Sequence, residues 1–320
     1  MPCGRDICCL ISGVEEEDRG LPPVVAGAAE QYCERMTRSQ RSQTRIMSRL
    51  GAVSLLSFAL VTVAVAPVAA SPGATPNGSA GGSYVAIGDS FTSGQGAAPW
   101  LPGHCLRSVS DSYPAITANS SSYREALNFA CSGADTTATL GQLAQIDDRT
   151  KLKASLVTLT VGGIDAGSNQ VLAACAPDPA SAICQFAVNT AFAQLPAVGA
   201  KLVGTYRTVA AAFPKARIVV LNYPRLFDPS FPNPLASTVN TATDALNGVI
   251  AGAVAATNNP RVSLTDVTDE FAAHGIGSAQ SWISFDPTNP ADPAALHPNA
   301  LGNTAGYTEA LRADRVIRGR

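Results

Sequence analysis

The sequence predicts a three-layer α/β/α sandwich built on a five-stranded parallel sheet, of flavodoxin-like type. Five short apolar or β-branched runs recur between residues 83 and 320. Segments of helical periodicity separate them, and strands alternating with helices imply βαβ units and a parallel sheet covered on both faces. Polar or glycine-rich breaks follow the runs, at the strand ends where open α/β sheets bind ligands. No internal repeat and no second domain interrupts this pattern.

The first run, Tyr84–Ile87, mixes aromatic and β-branched residues and reads as a buried strand. Gly88 ends it, and Asp89-Ser90-Phe91-Thr92-Ser93 follows, so a serine hydroxyl stands just past a strand's carboxyl end. Gly94 and Gly96 leave room there for a substrate or a close backbone approach. Further strands are expected at Ala126–Phe129, Leu156–Val161, Arg217–Asn222 and Val262–Thr265. A helix over Thr136–Ile146 would put Leu140, Leu143 and Ile146 on one face. A long Ala-rich helix is expected over Phe186–Phe213, kinked or split by Pro196. Leu246, Val249, Ile250 and Val254 give helical spacing to Leu235–Ala256, and a last helix is expected over Ala300–Ile317.

The N-terminal part reads differently. Met36–Arg49 carries Arg38, Arg41, Arg45 and Arg49 without an acid, and Leu50–Ala66 is apolar and uncharged. Val68-Ala69-Ala70 then places small residues before Ser71. Basic, apolar and small-residue regions in that order make residues 36–70 an expected secretory signal peptide, cleaved after Ala70. A retained N-terminal membrane anchor is the alternative, because the apolar run approaches the length of a span. Residues 1–35 are expected to be a mis-assigned start or a disordered extension, with Met36 or Met47 as the true start. The Ser-, Gly- and Pro-rich residues 71–82 read as a flexible lead-in, and residues 83–320 as one domain.

Charged residues make up 14% of the chain and the net charge is -2, against about 25% charged residues in typical domains. The absence of a basic patch argues against nucleic acid as a partner. Three scattered histidines without clustered carboxylates predict no metal site, and no phosphate-binding loop or dinucleotide fingerprint predicts a cofactor. Cys105, Cys131, Cys175 and Cys184 remain after the expected cleavage. An even number in an exported chain suggests disulfides. Three pairings are possible, and the sequential one, Cys105–Cys131 with Cys175–Cys184, is the one expected.

In a parallel sheet, four breaks converge on one edge: Ser90 with its neighbours, Ala130-Cys131-Ser132-Gly133-Ala134, Gly162-Gly163-Ile164-Asp165, and His297-Pro298-Asn299. Their order and positions resemble the SGNH hydrolases, also called GDSL esterases and lipases. Gly88-Asp89-Ser90-Phe91-Thr92-Ser93-Gly94 matches the nucleophile block, Ala130–Ala134 the glycine block and His297-Pro298-Asn299 the histidine block. Cys105–Ser110 with Tyr113-Pro114, and Tyr223-Pro224, resemble the secreted actinobacterial branch. The resemblance runs from about Tyr84 to Tyr307 and implies the SGNH hydrolase fold.

Two positions depart from the family pattern. The third block normally reads Gly-Gly-Asn-Asp, with an asparagine amide donating to the oxyanion, and here that position is Ile164. The family's acid, three residues before the histidine, is replaced by Ala294, and the nearest carboxylate is Asp292.

The resemblance assigns Ser90 as nucleophile and His297 as its base, since an alcohol needs a base within hydrogen-bond reach. The other ring nitrogen of His297 needs an orienting acceptor. The carbonyl of Ala294 or Ala295, or the Asp292 carboxylate, can supply it. The N–H groups of Ser90 and Gly133 would form the oxyanion hole, with Asn169 or a water as candidate for the place left by Ile164. Asp89 and Asp165 read as structural, Asp165 as cap of a short helix over Ala166–Ala174. His104 and His274 read as loop surface. Trp100, Phe227, Phe231 and Trp282 are candidates for an acyl pocket. The expected protein is a secreted, monomeric, cofactor-free serine esterase or lipase acting on a small-molecule or lipid ester. An acyltransferase and a low-activity binding protein on the same scaffold are the alternatives, the second motivated by Ile164.

Overall fold

The structure, a computed structural model, describes residues 82–120, 123, 125–289 and 291–318. The expected N-terminal extension and signal segment, and the lead-in up to Gly81, lie outside the described residues. Five strands form one parallel sheet: β1 (Ser83–Gly88), β2 (Glu125–Asn128), β3 (Ala154–Thr160), β4 (Arg217–Leu221) and β5 (Val262–Thr265). Their order is β2-β1-β3-β4-β5. The chain therefore reverses its winding between β1 and β3, which is where a doubly wound sheet opens a ligand crevice.

β1 is buried along its whole length because both faces are covered. Val85 and Ile87 point into one core with Val157, Leu159, Ile218 and Val220, and Tyr84 and Ala86 point into another with Leu156, Val219 and Leu221. Period-two alternation along a strand separates these two sets, and burial on both faces explains why the runs read as continuously apolar. The first core is closed by α3 (Thr136–Gln142) and the short helical turn after it, by α6 (Ala182–Ala212) and by α7 (Pro234–Ala256). The second is closed by α2 (Tyr113–Ser120), a π-helical segment Gly302–Thr308 and α8 (Glu309–Ala313). The remaining short helices are α1 (Ser90–Ser93), α4 (Asp148–Lys153) and α5 (Ser168–Cys175).

Two expectations about helices are corrected. Pro196 does not split the long helix: α6 runs unbroken for 31 residues with Pro196 inside it. Pro196 is exposed, so the carbonyl that loses its N–H partner belongs to the helix side where water is at hand. The last helix is not a regular α-helix from Ala300. It widens to π geometry over Gly302–Thr308. The Thr308 hydroxyl donates to the Asn303 carbonyl five residues back (2.8 Å), and the Asn303 side chain bonds Tyr113 N–H and the Pro298 and Asn299 carbonyls. A polar residue built into the chain's own helix ladder is a recognised cause of such widening.

The structure joins Cys105 to Cys131 and Cys175 to Cys184. The first fastens the glycine block to the loop after α1, and the second ties the end of α5 to the start of α6.

Candidate active site

The site begins at the end of β1. Gly88 has φ +124, and a Cβ there would meet the Thr160 carbonyl at 2.3 Å, so only glycine fits beside β3. The Gln142 amide closes the strand end, accepting from Gly88 N–H and donating to Gly88 O, both at 2.8 Å. Asp89 N–H then donates to the Thr160 carbonyl. Asp89 caps α1 through its side chain, which accepts the Phe91 N–H, and Ser90 opens the helix, 8% exposed. Gly94 ends it in the left-handed conformation (φ 80).

His297 reaches Ser90 from the loop before the π segment. Its Nε2 lies 2.9 Å from Ser90 Oγ, and its Nδ1 lies 2.7 Å from the Ala295 carbonyl. A carbonyl only accepts, so Nδ1 carries the proton and the Nε2 lone pair faces the serine hydroxyl. The Ala295 carbonyl, one of the three acceptors named from the sequence, is the one that meets the ring, and the alternatives Ala294 and Asp292 are corrected because neither hydrogen-bonds it. The Ala294 carbonyl accepts the backbone N–H of His297 (3.3 Å). The Asp292 carboxylate accepts the Ala294 N–H (2.9 Å) and braces the turn. Leu296, at φ 64, makes the bend that selects the Ala295 carbonyl.

Burial pulls the His297 imidazole down to about 4, with the Ala295 carbonyl acting in the opposite direction. The ring is therefore neutral, and able to accept a proton, at all but acidic pH. Burial pushes the Asp89 carboxyl up to about 7, against the Tyr223 hydroxyl and nearby N–H groups that lower it.

The glycine block is fixed by Cys131 N–H donating to Gly88 O and by the bridge to Cys105. Gly133 has φ +73 with open space around its Cβ position, so backbone conformation and not crowding requires glycine. Neither Ser90 N–H nor Gly133 N–H is taken up by another acceptor among the described residues. Gln95 links the blocks: its Oε1 accepts from Ser132 Oγ and its Nε2 donates to the Pro293 carbonyl, both at 2.6 Å. No motif pointed to Gln95 or Gln142. A polar side chain between two glycines, Gly94-Gln95-Gly96, was the available signal for the first.

Asp89, Ser90, Gly163, Ile164, Asn169 and His297 open onto one cavity of about 180 Å³. Its wall is apolar and comes from α5, α6 and α7, with Val171, Leu172, Val188, Phe192, Leu195 and Leu246 among its members. The four aromatic residues expected to line an acyl pocket do not line it. Trp100 donates to the Gln95 carbonyl, Phe227 stacks on Phe231 (centroids 5.4 Å apart), and Trp282 stacks on His274 (3.6 Å). Asp165 does not cap the helix that follows it. Its carboxylate accepts from Thr136 N–H and Thr136 Oγ1 at the start of α3 and pairs with Lys201 (3.1 Å), while α5 has Gly167 at its N-cap.

Residues 86–305 match the GDSL-like Lipase/Acylhydrolase family. Lipase 1 of Streptomyces coelicolor is 31% identical over 277 residues, 83% of this chain and 97% of that protein. The solved extracellular lipase of Streptomyces rimosus is 31% identical, with a TM-score of 0.64 over 72% of this chain and 99% of that one. The solved phospholipase A1 of Streptomyces albidoflavus is 34% identical, with a TM-score of 0.65 over 72% of this chain and 98% of that one. The five-stranded parallel sheet with its covering helices is the fold this chain has in common with these structures. The chain belongs to the GDSL-like lipase/acylhydrolase (SGNH hydrolase) family and is a carboxylic ester hydrolase.

Proposed function

We propose that the protein is an exported, monomeric esterase or lipase that hydrolyses esters of apolar acyl chains through an acyl-enzyme on Ser90. The observation that carries this reading is the Ala295 O–His297–Ser90 relay, at 2.7 and 2.9 Å, at the mouth of an apolar cavity. His297 Nε2 takes the Ser90 proton as Oγ bonds to the ester carbonyl carbon. The carbonyl oxygen becomes an oxyanion facing the Ser90 and Gly133 N–H groups. The bond to the alcohol oxygen then breaks, and His297 returns the proton to that oxygen. Water repeats the sequence on the acyl-enzyme and releases the acid. Burial disfavours the imidazolium, and only the Ala295 carbonyl offsets this, so the base is weak as well as available. Ile164 supplies no amide to the oxyanion. Turnover is therefore slow: one missing donor costs about 10² to 10³ in kcat.

Three features support export: the basic, apolar and small-residue order of residues 36–70, the two disulfides, and the extracellular lipase of Streptomyces rimosus among the relatives. No helix among the described residues is long and apolar enough to cross a membrane. The test is a fluorophosphonate probe followed by peptide mapping, with p-nitrophenyl esters of increasing chain length assayed in parallel. Labelling on Ser90 with ester turnover is expected. Absence of both would leave a binding protein, and acyl transfer to an added alcohol in preference to water would make it an acyltransferase.

A further inference from the structure

We propose that Tyr223 is a positioning residue of this reaction, locking the Ser90 turn to the Gly162–Ile164 loop through its hydroxyl. The proposal rests on the reading of Ser90 as nucleophile. Tyr223 follows β4, and β3 lies between β4 and β1 in the sheet. Its side chain therefore reaches over the exit of β3 to the exit of β1.

The direction of each bond is fixed by chemistry. Gly163 N–H can only donate, so Tyr223 Oη accepts it, at 3.0 Å. The phenol's own proton must go elsewhere, and Asp89 Oδ2 stands 2.5 Å away. Asp89 Oδ1 in turn accepts the Phe91 N–H at 3.0 Å. One hydroxyl thus closes a chain from the third block to the residues on either side of Ser90. At 2.5 Å the bond to Asp89 is the shorter of the two the hydroxyl makes.

Tyr223 is itself held from three directions. The Asn247 side chain on α7 accepts the Tyr223 N–H (3.1 Å) and donates to its carbonyl (2.7 Å). The ring is 5% exposed and meets the Phe91 ring edge-on, with centroids 4.9 Å apart. Phe91 in turn stands 5.2 Å from the His297 ring. A side chain clamped at its backbone, its ring and its hydroxyl can hold the Ser90 turn still against the loop that faces the bound ester. Tyr223 also removes the Gly163 N–H from the donors open to an oxyanion, which leaves that task to Ser90 and Gly133.

The test is Tyr223→Phe in the secreted protein, with kcat divided by the fraction of sites titrated by the fluorophosphonate. Turnover per titrated site should fall tenfold or more on p-nitrophenyl butyrate, with KM within twofold. A merely structural role would lower the titratable fraction and the melting temperature and leave turnover per site unchanged. Unchanged turnover per site overturns the proposal, and so does a rise, which would mean that the freed Gly163 N–H serves the oxyanion better than the lock does. Asp89→Asn, which keeps the size of the side chain but turns an N–H₂ toward the phenol or Phe91, carries the same expectation if Tyr223→Phe does not fold. Failure of the wild-type protein to label at Ser90 would instead remove the nucleophile on which the proposal rests.

Discussion

The two sides of Ser90 are built by different means. On one side stand His297, the Ala295 and Pro293 carbonyls, Ser132 and Gln95, joined by hydrogen bonds of 2.6 to 2.9 Å between loop segments. On the other side is an apolar cavity whose wall is three helices. In the proposed reaction the polar side makes and breaks the bonds, with groups whose positions are set by a few backbone turns. In the proposed function the apolar side receives the acyl chain, and its shape depends on how α5, α6 and α7 pack. Chemistry and specificity should therefore separate under mutation.

The largest effects belong to the polar side. Ser90→Ala and His297→Ala should each lower kcat by about 10⁴-fold or more on any ester, because nucleophile and base act as a unit. Circular dichroism and melting temperature of Ser90→Ala should stay near wild type, since the change removes one oxygen and leaves the backbone bonds of the turn in place. Near-normal turnover in purified Ser90→Ala protein would end the acyl-enzyme mechanism.

The cavity side should respond next, and selectively. Ala191 lines the cavity from α6, and Ala191→Phe places a ring in space meant for methylenes. The expected loss in kcat/KM is about 10- to 100-fold on a decanoyl ester, with the acetyl ester within twofold. Equal losses on both esters would show that the cavity does not hold the acyl chain and would erase the separation between the two sides.

Much of the polar side could be read from the chain. Ser90 and Gly133 stand in short blocks after predicted strands, whose ends a parallel sheet brings to one edge whatever the helices do, and His297 stands in a block just before the last helix that the family resemblance picks out. The strands themselves were legible because alternate residues, such as Val85 and Ala86, are buried on opposite faces. The cavity was not legible. Val171, Val188 and Leu246 carry the same apolar period as core residues, and only the packed helices show that a space remains between them. The aromatic residues looked like pocket material because they are large and lie in loops, yet Phe227 and Phe231 spend that surface on each other. Asp165 departs from the expected cap for a related reason: its partner Thr136 lies 29 positions away, and capping rules see only near neighbours. The choice of Ala295 over Ala294 turned on the single left-handed residue Leu296, which no side-chain preference announces.

Ile164 is where the two sides meet, because it lines the cavity at the position where the family places an oxyanion donor. Ile164→Asn should raise kcat on a short-chain ester by about tenfold, part of what one donor is worth. The gain should be smaller on long esters, since a polar amide would enter the apolar wall. An unchanged kcat, with the amide seen to point at Ser90, would mean that Asn169 or a water already fills the role.

The smallest effect should come from Asp292. Its carboxylate accepts the Ala294 N–H and makes no bond to the His297 ring, whose Nδ1 proton goes to the Ala295 carbonyl. Asp292→Asn keeps an acceptor oxygen for that N–H, so the turn should survive and kcat should fall less than about threefold. A triad acid behaves otherwise: neutralising one lowers kcat by about 10⁴-fold. The pH profile offers a second check. His297 is pulled down to about 4 by burial, opposed by the Ala295 carbonyl. A base must be unprotonated, so kcat/KM should hold from neutral pH downward and fall as the pH drops through about 4. An ordinary histidine would give that fall near 6.5. If Asp292 were the partner of the ring, its negative charge would favour the imidazolium, and Asp292→Asn would move the acid limb to lower pH. With the carbonyl as partner, the limb should not move. A shift of one pH unit or more, or a loss of turnover beyond a hundredfold, would return the orienting role to the carboxylate.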